Sequence, residues 1–244
     1  QGSLTFNGPD AGATIVVKNT QVAGTGIGFT TLVNSVVSLA NVHVASSVNA
    51  LWTSAITGTS FAIDGGTYDG DARGLYFNGA VDAASSIAIT DAVVRNNINN
   101  CVRFNLGVDG TVSIRGGSFS SASPDHAAVV VATAAMAGTF TVADSVVTAA
   151  PKSFNFESVE GTLRLTDVTA NSGAASNNQG VKFLGLTGTA AVSISGGTYT
   201  AHTAIEVGGA FDATATLDVS RATLDGGTYA LLFLPTLAGT VALS

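Results

Sequence analysis

A pair of apolar residues two positions apart recurs along the whole chain, and five residues after the second member comes another apolar residue. The triplets are Ile15, Val17, Val22; Val37, Leu39, Val44; Phe61, Ile63, Tyr68; Ile87, Ile89, Val94; and Val112, Ile114, Phe119. They continue as Phe140, Val142, Val147; Leu163, Leu165, Ala170; Val192, Ile194, Tyr199; and Leu217, Val219, Leu224, with Val241 and Leu243 opening a further copy. Alternation at period two marks a strand with one buried face. The constant interval of five predicts a short bend and a second strand held in fixed register.

The bend has its own column. Two residues after each pair stand Asn19, Asn41, Gly65, Asp91, Gly116, Asp144, Asp167 and Gly196, with Arg221 the one departure. Gly, Asn and Asp tolerate left-handed backbone geometry, so the column predicts one sharp corner repeated in every copy. A third strand follows, with inward pairs such as Leu4 and Phe6, Ile27 and Phe29, Leu75 and Phe77, Val102 and Phe104, and Val181 and Phe183. In one copy the pair is Leu51 and Thr53. Pro9, Pro124, Pro151 and Pro235 all fall between these strands, as expected where every strand is paired on both sides.

Copies recur every 22–29 residues, a period that belongs to stacked repeats rather than to a sandwich. The expected fold is all-β: a single-stranded right-handed parallel β-helix of about ten rungs of three strands, one domain over residues 1–244. Three strands per rung at this period resemble the pectin-lyase-like superfamily and the passenger stalks of bacterial surface adhesins. The expected handedness comes from that resemblance and from the general preference of parallel crossovers.

Composition narrows the function classes. Of 244 residues only 10% are charged while 46% are hydrophobic, which excludes a disordered chain. A net charge of −7 with nine scattered basic residues offers no phosphate-neutralising stripe, so nucleic acid is not an expected partner. No apolar stretch is long enough to span a bilayer. Cys101 is alone, which leaves no intrachain disulfide and no zinc cluster. The chain opens at Gln1 and carries no polar cap at either end, the pattern expected of an excised solenoid segment or a stacking subunit.

Outward positions of the first strand are small and uncharged. One column reads Thr14, Ser60, Ser86, Thr111, Thr139, Thr162, Thr216 and Thr240; the next is interrupted by Arg164 and Asp218. Hydroxyl ladders or lateral packing against another copy account for such a face. Ice binding asks for regular Thr-X-Thr pairs, which only Thr139 and Thr141 form cleanly.

Loops displayed by a rigid scaffold are where function concentrates. Stacking is expected to gather Asp69, Asp71 and Arg73 with Arg95, Asn97 and Asn99 one rung on, and then Asp125 and His126, as a binding edge. Asp69 and Asp71 could take calcium with neighbouring carbonyls; no other cofactor is implied. Pectinolytic families, as the resemblance implies, use paired Asp, a His-Gly, or Arg and Lys spaced to hold uronate carboxylates. This chain has no Asp-Asp, no His-Gly and no Arg-X-Lys. The expectation is therefore a non-enzymatic extracellular or cell-surface element: a structural or adhesive rod, stalk, fibre or surface layer. Its expected partners are other copies, end to end or laterally, and host or cell-surface glycans or proteins. The alternatives are a carbohydrate-active lyase or hydrolase, and an ice- or surface-binding solenoid.

Overall fold

A computed structural model describes residues 3–8, 10–96, 98–149 and 151–244. Asn97 and Pro9 lie outside the described residues. The chain is a parallel β-solenoid. Its first strands, from Thr14–Lys18 to Thr240–Leu243, form one sheet of ten strands in sequence order, so the chain completes nine turns between them. The second and third strands form two further faces. They merge into one folded sheet of seventeen strands, because Thr198–Val207 and Thr223–Phe233 run unbroken around the corner between those faces.

Pairing is parallel and in register: Ile15 aligns with Val37, Val37 with Phe61, Phe61 with Ile87 and Ile87 with Val112. Register holds because a one-residue slip would turn every apolar side chain outward. The corner column is the second device that fixes it. The eight Gly, Asn and Asp corner residues have positive φ, from 49° at Asn19 to 68° at Gly196, and Arg221 joins them at 54°. The geometry of the rung thus overrides the reluctance of an arginine to enter it.

The core is one large apolar cluster extending from Ile27 to Val219, with partly buried residues such as Leu4, Phe6, Leu231 and Phe233 packed against it, and Ala127, Val130 and Ala132 form a small separate cluster. Aromatic rings stack up the third strands, with Phe6 5.0 Å from Phe29, Phe77 4.7 Å from Phe104 and Phe156 5.7 Å from Phe183. Three residues interrupt that column: Thr53 between Phe29 and Phe77, Val131 between Phe104 and Phe156, and Val207 between Phe183 and Phe233. Cys101 is buried and takes no part in a disulfide. No helix among the described residues is long and apolar enough to cross a membrane.

Candidate functional site

The expected binding edge divides into two groups. Asp69 lies on the strand Thr67–Gly70, aligned with Ala45 on one side and Arg95 on the other. Asp71 follows at an exposed bend, its backbone N–H donating to the Ser46 carbonyl at 3.0 Å. The small side chains of Ala23 and Ala45 leave a shallow hollow of about 410 Å³ beside these carboxylates, bordered by Ser46 and Ser47. Among the described residues no group of three or more His, Cys, Asp or Glu stands ready to hold a metal.

The asparagines near Arg95 play unequal parts. Asn96 is buried and stitches the turn, donating to the carbonyl of Asp71 at 3.2 Å and accepting from the Asn99 N–H and the Ser121 hydroxyl, each at 3.1 Å. Asn100 is buried as well and donates to the Ala127 carbonyl at 2.7 Å. These amides satisfy backbone groups that the loops leave unpaired.

The second group lies around the corner, on the outward face of the third strands. Arg73 starts the strand Arg73–Phe77 and lays its guanidinium over the Tyr76 ring, 4.4 Å from the centroid. The Tyr76 hydroxyl donates to Asn78 Oδ1, which also accepts from Asn105 Nδ2 at 3.1 Å. Asn105 Oδ1 accepts from Arg103 Nε at 3.0 Å, and Arg103 Nη1 donates to Asn100 Oδ1 at 3.2 Å. A polar network thus spans two rungs and fixes the orientation of every side chain in it.

Asp125 and His126 join this group, not the carboxylates of the first. With Arg103, Lys152, Asn155 and Glu157 they border a pocket of about 170 Å³. Burial, and then the nearby charge of Arg73, lowers the pKa of Arg103 against the opposing pull of Tyr76 and Glu157. Burial and the charge of Lys182 lower Lys152 in the same way, opposed by Glu206. Beside the pocket, Lys182 pairs with Glu206 at 2.8 Å. Glu206 is buried and also accepts from Gln179 Nε2 at 3.0 Å.

The face is a ladder: Gly28, Trp52, Tyr76, Arg103, Val130, Asn155, Lys182 and Glu206 align strand by strand. Each lies between the two inward residues of its third strand, so alternation alone would have marked it as outward. Polar runs in the loops do not point to it, because its members are single residues separated by a full turn of chain. Chemically, the face offers two aromatic rings, planar amides and guanidinium groups, and one pocket with charges of both signs. No family model, no curated protein and no solved structure matches this chain.

Proposed function

We propose that the protein is a structural or adhesive element of an extracellular or cell-surface assembly, a rigid rod in a stalk, fibre or surface layer. The observation that carries this reading is the uninterrupted core: one apolar cluster threads the nine turns, wrapped in a surface of small uncharged side chains. Such a body is stiff, and its length is set by the number of rungs. Support for self-association comes from the outermost rungs. Leu224, Leu231, Phe233 and Val241 pack on the core from one side and remain partly open on the other, and Leu243 is 64% exposed. A second copy stacked on this face would cover them.

Electron microscopy of the purified protein tests the reading. Rods longer than the roughly 45 Å that nine rungs span at strand spacing are expected, and Leu243→Asp should shorten them. Dispersed single units at high concentration, unchanged by that substitution, would remove the structural reading.

A carbohydrate-active reading keeps one specific support, the pocket that gathers Asp125, His126, Arg103, Lys152 and Glu157. Acid and base side chains in a partly desolvated recess are the raw material of glycan chemistry. Cleavage of uronate polymers, assayed with and without calcium and abolished by Lys152→Ala, would establish it; intact polymer after prolonged incubation would discard it.

A further inference from the structure

We infer that the outward face of the third sheet around Trp52 is a binding site for an extended, neutral polysaccharide of β-linked hexopyranose units lying along the rod axis. The inference rests on the adhesive part of the reading above and supplies its ligand.

Trp52 is the only tryptophan of the chain. It points outward and stays partly exposed, on a molecule whose outer surface is otherwise built mainly from Ser, Thr, Ala and Gly. Its indole lies against the preceding rung: a Cβ added to Gly28 would sit 2.4 Å from Trp52 Cε2 and 2.5 Å from Cζ2. Gly28 therefore leaves the room into which the indole settles against the neighbouring strand, while Trp52 stays partly exposed. Tyr76 aligns with it on the next rung, one side of its ring taken by Arg73. The free platform is Trp52.

Asn78 flanks Tyr76 on its own rung, and Arg103 and Asn105 follow on the next, all already oriented by one another. The order is a flat apolar surface followed by fixed planar donors and acceptors. A pyranose ring matches it: its C–H face packs on an aromatic ring, and its hydroxyls pair with amides and guanidinium groups. Side chains held by neighbours lose little freedom on binding, which favours affinity. The spacing selects a polymer. Strands repeat every ~4.8 Å, close to the length of one extended pyranose unit, so a chain along the axis meets one rung per sugar. A nucleic acid could also stack on an indole, but the net charge of −7 opposes it.

The sole tryptophan makes the test direct. Intrinsic fluorescence is followed while cello- and chito-hexaose are added to the full chain, with oligogalacturonate as the charged comparison. A saturable change in Trp52 emission with a neutral oligosaccharide is expected. Gly28→Val, which lifts the ring off the sheet while keeping it, should weaken binding by about tenfold or more, and Trp52→Ala should do the same by calorimetry. Trp52→Tyr should retain most of the affinity, which guards against a mere folding defect. Unchanged emission with both neutral sugars to millimolar concentration overturns the inference, as does undiminished affinity in Trp52→Ala. A response confined to oligogalacturonate also overturns it and moves the ligand to the Arg103–Lys152 pocket. Rods seen by microscopy with a silent Trp52 remove the glycan site alone; a responding Trp52 on dispersed units removes the rod alone.

Discussion

Phe61 fills the space that Thr53 leaves in the phenylalanine column, meeting Phe29 and Phe77 edge-on at 5.4 and 5.9 Å from the opposite wall of the core. Phe140 does the same where Val131 interrupts the column, edge-on to Phe104 at 5.5 Å and Phe156 at 5.7 Å. At the equivalent position of the first strand the other rungs carry Ile, Val or Leu. A large ring on one wall is matched by a small residue on the other, as dense packing demands.

That coupling is measurable. Phe61→Ala should cost about 3–5 kcal/mol, and Thr53→Phe about 1–3 kcal/mol through overpacking. The exchange Thr53→Phe with Phe61→Ile should recover much of the loss, a coupling well outside additivity in urea denaturation. Additive losses would show that the two positions do not share space. Thr53 is fully buried and its hydroxyl has no protein partner, so Thr53→Val should gain about 1 kcal/mol.

The corner column makes a second prediction. Asp91 has φ 50° and Arg221 φ 54°. A β-branched residue is strained there, so Asp91→Val should lose about 1–2 kcal/mol. Arg221→Asn should raise stability by up to about 1 kcal/mol despite losing the 2.7 Å bond from Arg221 to the Ser195 hydroxyl, which is exposed. Hydrogen exchange at the neighbouring strand amides reads both changes.

Acid should loosen one particular turn. Asp82 accepts hydrogen bonds from the Ser85 hydroxyl and, at 3.0 Å, from the Gly58 N–H of the preceding rung, and these bonds hold its carboxyl below the usual carboxylate range. A group whose pKa is depressed by folding contributes stability above its unfolded value, about 3.9, and loses it as pH falls through the folded one. The wild type should therefore lose stability below about pH 4, and Asp82→Asn should flatten that part of the profile. Equal acid sensitivity in the variant would assign the effect to other carboxyls.

Cys101 should be silent until the fold opens. Burial, and then the charge of Asp69, pushes its thiol pKa up, and no part of the residue is exposed. Labelling with a thiol reagent at pH 8 should proceed only at the rate of local unfolding and become rapid in denaturant. Fast labelling of the native protein would place the sulfur at the surface.

The fold was legible because each rung repeats one rule, and the repetition shows through substitutions. The corner was readable even with Arg221 in it, since eight neighbours in the column declare its geometry. The grouping of polar residues was not. Asp69 lies on a strand and Asp125 in a loop, and nothing in their spacing reveals that one borders the hollow beside Ala45 while the other joins the pocket at Arg103. Tyr76 and Arg103 touch the same network although a full turn of chain separates them, so no local motif could announce it.

The in-register pairing also has a mechanical consequence. Backbone hydrogen bonds such as those between Thr198–Val207 and Thr223–Phe233 point along the rod, not across it. Tension along the rod therefore loads every rung in series and opens them one at a time, the weakest first, while compression presses the same bonds together. Under a pulling force the molecule should lengthen in steps of one turn of chain, a ratchet of small sacrificial elements rather than a cable that snaps.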